Sequence, residues 1–134
     1  MSTPFFHEEF PSTFEAMTET LDHAVSALLR DGWIKTDQEP CTRLCLEEAL
    51  VNAVRHGNNN DAARTVSLSL EADEDCCTIR VCDEGGGFRV DQVAFPELEQ
   101  MGGRGICLIR HFMEKVKFDT SANCLEMSFR RKAI

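Results

Sequence analysis

Apolar residues return at three- and four-residue intervals through Phe14, Met17, Leu21, Val25 and Leu28, the spacing of one helical face. Ser12-Thr13-Phe14-Glu15 offers that helix a capping-box start, with Ser12 accepting from the Glu15 backbone and Glu15 reaching back. Asp31-Gly32 marks its end, because glycine readily takes the left-handed conformation that stops a helix. Residues 3–10 mix aromatic and acidic side chains with partial alternation, which suits an edge strand. A second helix is predicted over residues 38–57, with Pro40 tolerated in its first turn. Its middle, residues 44–54, is apolar on most sides, which predicts burial between layers.

Asn58-Asn59-Asn60-Asp61 is a turn signal ahead of two strand-like runs, residues 65–70 and 77–82, joined by the acidic turn 71–75. From Asp83 to Gly105 the regular pattern stops, and six of the eight glycines fall there. Each glycine costs backbone entropy on folding, so such a density points to use. A third helix is predicted to begin near Gly105, with Ile106, Ile109, Phe112, Met113 and Val116 on one face. Residues 116–119 and 125–130 read as a closing hairpin. This order predicts a two-layer α+β sandwich, one sheet with helices packed on one face.

At 134 residues the chain is long enough for one sizeable core, so a single domain over residues 1–134 is expected. Apolar residues at 43% and charged residues at 28% match an ordinary globular composition rather than a disordered or fibrous one. No apolar run approaches the ~20 residues of a membrane span, and the first eleven residues carry acids rather than a basic leader. A cytoplasmic protein with no membrane partner is expected. The seven cysteines are odd in number and form no Cys-x-x-Cys pair, and none of the four histidines joins them at zinc-finger spacing. They are read as reduced core fillers. The net charge of −9 argues against direct nucleic-acid binding, which depends on clustered Lys and Arg, and suits a basic protein partner.

Three polar features stand out against this frame. Glu48 and Asn52 share one helical face among Leu44, Cys45, Ala49, Leu50, Val51 and Ala53. Burying them costs several kcal/mol unless partners compensate, and a magnesium ion is one such partner for an amide oxygen. Alternatively Glu48 faces solvent beside Glu47, or pairs with Arg43 or Arg55. Asp83, Gly85 and Gly87 follow a strand-like run. An aspartate there can accept from an exocyclic amino group while glycines let a flat heterocycle approach; the same residues also suit a tight turn. Gly103-Arg104-Gly105 runs straight into the third predicted helix, whose free N–H groups and dipole favour an anion. No Walker-type Gly-Lys-Ser or Gly-Lys-Thr is present.

Taken together, Glu48 to Gly57 resembles the N box of the gyrase, histidine-kinase and chaperone ATPase superfamily. Asp83-x-Gly85-x-Gly87 resembles its G1 box, and Gly103-Arg104-Gly105-Ile106 its G2 box. The order and the short lid of residues 89–101 are similar to those of bacterial anti-sigma-factor serine kinases. The resemblance implies a Bergerat-type ATP-binding fold with a mixed, mostly antiparallel sheet. By position it implies that Asn52 binds magnesium, Asp83 accepts from adenine, Gly85 and Gly87 line the base, and Gly103, Arg104 and Gly105 contact the phosphates. Arg55 is either a further phosphate contact or half of a surface ion pair. Glu48 is implied as the general base for an incoming serine hydroxyl.

The implied activity is that of an ATP- and magnesium-dependent serine protein kinase. Its implied partners are an anti-sigma-factor antagonist as phosphoacceptor, a sigma factor to sequester, and a second copy of the chain. An ATP-binding interaction module without phosphoryl transfer is the alternative; the presence of Glu48 favours the kinase. His56 reads as a packing or hydrogen-bonding residue rather than a phosphoacceptor.

Overall fold

The computed structural model describes residues 2–85, 113–119 and 121–131. Strand β1 (Thr3–Pro11) leads into helix α1 (Phe14–Arg30), and a short 3-10 turn (Thr36–Gln38) precedes helix α2 (Glu39–Val51). The last helical stretch, Asn52–Gly57, is wound as a π-helix. Strands β2 (Thr65–Asp73), β3 (Cys76–Cys82), β4 (Lys115–Asp119) and β5 (Cys124–Arg130) complete the described elements. They form one sheet in the order β1-β2-β3-β5-β4, and every pairing is antiparallel. Residues 89–101 and the predicted third helix up to residue 112 lie outside the described residues. Met113 and Val116, placed on that helix's face by the sequence pattern, are not helical: Met113 is a buried residue just before β4, and Val116 lies within β4.

The sheet's period-2 alternation puts Val66, Leu68 and Leu70 of β2 and Cys77, Ile79 and Val81 of β3 on one buried face. Register aligns Leu70 with Ile79 and Ile79 with Met127, so the apolar rows run continuously across the strands. Against this face α1 presents Met17, Leu21, Ala24, Val25 and Leu28, and α2 presents Cys45, Leu46, Ala49 and Leu50. The predicted α1 stripe is therefore buried except at its first member. Phe14 is 63% exposed, because it sits at the first helical position, before the helix reaches the sheet.

The start of α1 differs by one residue from the predicted capping box. Thr13 is the N-cap and accepts from the Ala16 amide at 3.3 Å. Ser12 is instead drawn into the core, donating to the Arg64 carbonyl at 2.8 Å. The end is as expected: Gly32 has φ of +74°, and the Gly32 and Trp33 amides return to Leu29 and Leu28. Trp33 then folds back between Phe5, whose ring stacks at 6.3 Å, and the Arg131 guanidinium at 3.8 Å. The β2–β3 turn is tighter than expected. Strand pairing continues to Asp73 opposite Cys76, and only Glu74 and Asp75 turn, Glu74 with φ of 52°.

The cysteines require a correction. Cys82 and Cys124 form a disulfide, so the thiols are not all reduced core fillers. They face each other in the β3–β5 register, with Cα atoms 4.0 Å apart although 42 residues separate them in sequence. That pairing depends on strand order, which local spacing does not encode. Cys45 and Cys77 are buried free thiols, each pushed up to about 12, chiefly by burial.

Leu50 is fully buried on the core-facing side of α2, so Leu50→Ala should destabilise the protein by about 2–5 kcal/mol in urea denaturation. Phe14→Ala should stay within about 0.5 kcal/mol of wild type, because its ring already meets water.

Candidate functional site

Helix α2 places Glu48 and Asn52 one turn apart, with the Asn52 amide donating to the Glu48 carbonyl. Their side chains therefore stack on the same face, and both are half-buried at the margin of the apolar stripe. Arg43 does not pair with Glu48. It is held by Asp22 at 2.6 Å and by Glu39 at 3.7 Å. Arg55 is exposed and forms no ion pair with a described residue, which leaves Glu48 without a cationic partner among those residues. Burial, and then the neighbouring Glu47 carboxylate, pushes the Glu48 carboxyl above its ordinary range.

Beyond Val51 the backbone widens into the π-helix, whose ring closes with the Asn58 amide donating to the Ala53 carbonyl at 2.9 Å. Such turns are rare and occur often at functional sites. This one ends with Gly57 packed directly on Asp83. A Cβ on Gly57 would lie 2.3 Å from Asp83 Oδ2, and one on Gly85 would lie 2.0 Å from the Gly57 carbonyl oxygen. Only residues without side chains allow this approach. His56, half-buried beside Arg55, is held below the usual imidazole value by burial first and Arg55 second.

Asp83 stands at the end of β3. Its amide donates to the Asn123 carbonyl at 3.0 Å, and its Oδ1 accepts from the Gly85 amide at 2.8 Å. Among the described residues Oδ2 accepts no hydrogen bond. Burial raises the Asp83 carboxyl, partly offset by the Gly85 amide and Arg64. The arrangement is a turn-capping aspartate with one oxygen engaged and the other accepting no hydrogen bond from a described residue, so the tight-turn reading of this residue holds. Two concavities, about 430 and 200 Å³, lie on the open sheet face, and the smaller touches Asp83 and Glu84 from behind.

The structure thus joins the Glu48–Gly57 segment to Asp83 and Gly85. Gly87, Gly103, Arg104 and Gly105 lie outside the described residues. Sequence reasoning missed Asn58, read there only as a turn residue. It is fully buried and bonds to residues 46 and 26 positions away, partners that no local pattern reveals. The π-helix was likewise missed, since its residues carry an ordinary helical pattern.

Gly57→Ala should destabilise the protein by about 1–3 kcal/mol, because the new methyl displaces the Asp83 carboxylate. A wild-type urea midpoint for this variant would contradict the close packing.

Residues 10–129 match the family model described as the histidine kinase-like ATPase domain. Among curated proteins, the chain is 33% identical over 95 residues to an anti-sigma F factor of Geobacillus stearothermophilus, covering 66% of this chain and 64% of that protein. It is 28% identical over 116 residues to the serine/threonine-protein kinase BtrW of Bordetella bronchiseptica, covering 82% of this chain and 81% of that one. It is also 34% identical over 85 residues to an anti-sigma F factor of Geobacillus kaustophilus, covering 58% of each. With the family match running from β1 to β5 and the antiparallel sheet and helices in agreement with it, the chain belongs to the histidine kinase-like ATPase domain family.

Proposed function

We propose that this domain binds ATP with magnesium and acts as a serine protein kinase in a partner-switching system, phosphorylating an anti-sigma-factor antagonist and sequestering a sigma factor. The observation that carries the kinase reading is Glu48, a half-buried carboxylate one helical turn from Asn52 and unpaired with any described cation. The names borne by the relatives, an anti-sigma F factor and a serine/threonine-protein kinase, support both halves of the reading. The matched region spans 64% of the first of these proteins.

The residues fit the nucleotide. Gly57 and Gly85 leave the Asp83 carboxylate uncovered by side chains at their positions, and its Oδ2 is suited to accept from the adenine amino group. The Asn52 amide oxygen is a hard donor suited to magnesium. Among the described residues no group of three His, Cys, Asp or Glu side chains converges to cage a metal, so a cation there would take further ligands from phosphate oxygens and water. When bound, the ion neutralises phosphate charge. Arg55, exposed at the same helix end, is free to contact a phosphate, and in this reading Gly103, Arg104 and Gly105 contact the phosphates as well. Glu48 takes the proton from the partner's serine hydroxyl as that oxygen attacks the terminal phosphorus of ATP, the new P–O bond forming as the bond to ADP breaks and ADP leaves.

Glu48→Gln should abolish phosphorylation of a cognate antagonist while leaving ATP affinity within about twofold, since a neutral amide cannot accept the proton. Because the folded-state pKa of Glu48 is raised, its contribution to stability is present at low pH and lost as pH rises through that value. The ionised side chain therefore costs stability at neutral pH, and Glu48→Gln should unfold at no lower urea concentration than wild type. For the same reason the wild-type transfer rate should fall on acidification at a pH above the ordinary carboxylate range. A variant that still phosphorylates at the wild-type rate removes Glu48 from the chemistry.

A further inference from the structure

Asn58 lies outside the motif residues that carry the family resemblance, yet it is completely buried and uses every polar atom of its side chain. Its Nδ2 donates to Ser12 Oγ at 2.9 Å and to the Thr65 carbonyl at 2.9 Å, and its Oδ1 accepts from the Glu84 amide at 2.9 Å. The partners fix the orientation of the amide, because a carbonyl can only accept and a backbone N–H can only donate. Ser12 Oγ gives its own proton to the Arg64 carbonyl, so it is an acceptor toward Asn58. Four segments of chain meet at this one side chain: the β1–α1 junction, the end of the π-helix, the start of β2 and the exit of β3.

The position of that junction matters more than its connectivity. Gly57 packs on Asp83, and the next residue of each segment, Asn58 and Glu84, is joined by the Oδ1 hydrogen bond. Gly57 also contacts Gly85 closely enough that no Cβ would fit there. The two segments therefore lie side by side in register, and the Asn58–Glu84 bond is the polar tie that holds the Asp83–Gly85 turn against the glycine. The Glu84 side chain adds a second tie nearby, accepting from Thr65 Oγ1 at 3.0 Å, but this one is exposed to water.

We infer that Asn58 is a positioning residue for base recognition, setting the Asp83 carboxylate where it can discriminate a purine bearing a 6-amino group. The inference rests on the adenine reading of Asp83. A residue that served the fold alone would weaken all nucleotides together. One that aims Asp83 changes the preference between ATP and ITP, which carries a keto oxygen where ATP carries the amino group.

Calorimetric titration of the full chain with ATP and with ITP tests this. Wild type should prefer ATP by at least about tenfold, and Asp83→Asn should abolish the preference. Asn58→Ala, which releases the Glu84 amide, should lose most of that preference. Ser12→Ala, which removes a buried partner of Asn58 but leaves the Glu84 bond, should keep it. If Asn58→Ala does not fold, Asn58→Ser is the variant to read, since its hydroxyl remains polar but is too short to bridge to Glu84; the same loss is expected. A wild-type ATP:ITP ratio in the Asn58 variant overturns the positioning role while leaving the adenine reading intact. Absence of any preference in wild type, or its persistence in Asp83→Asn, overturns the adenine reading and this inference with it.

Discussion

Helix α2 buries Cys45, Leu46, Ala49 and Leu50 against the sheet, and this burial decides which way every polar residue of the helix faces. With 100° between successive residues, an apolar stripe of that width leaves Glu48 and Asn52 at its margin, neither immersed in the core nor fully in water. Arg43 is turned to the side that meets α1, where Asp22 holds it. The separation sets the charge state of Glu48. A salt bridge to Arg43 would have stabilised the Glu48 carboxylate and lowered its basicity, whereas partial burial beside Glu47 raises it.

The same helix also delivers its C-terminal end to the exit of β3. A regular α-helix continued to Gly57 would close with i→i+4 bonds; the wider π ring instead lets Asn58 return to Ala53 and Asn60 to Val54. Asn59 and Asn60 then take positive φ, and the chain turns into β2. The result is a seam in which Gly57 meets Asp83 and Asn58 meets Glu84. Asp83 is thereby partly desolvated, a cost offset in part by the Gly85 amide, with one carboxylate oxygen uncommitted among the described residues. Half-buried carboxylates on two separate elements are expensive for stability alone and intelligible as parts of a binding site.

Much of this was legible in the sequence because the signals were periodic or local. The α1 stripe, its glycine stop, the β2–β3 hairpin and the closing hairpin all rest on patterns contained within a few residues. Glu48 and Asn52 stand out in the sequence as polar residues costly in an apolar helix, and Asp83 as an aspartate at a strand end followed by glycines. What was not legible depends on pairing across long sequence separations. Cys82 and Cys124 meet because β3 and β5 are neighbours, and Ser12 leaves the N-cap to Thr13 because Arg64 and Asn58 draw it inward. Asn58 looked like one of three turn asparagines, and only the assembled seam distinguishes it from Asn59 and Asn60.

In the proposed function Asn52 and Asp83 belong to one magnesium-dependent ATP site. Calorimetry of ATP binding with and without magnesium, on wild type and on Asn52→Ala, addresses it most directly. Wild type should show saturable binding at one site that magnesium strengthens, and the variant should fold normally but lose the magnesium enhancement. Absence of ATP binding by correctly folded wild type would rule out the nucleotide site. Equal magnesium dependence in the two proteins would remove Asn52 from the metal site.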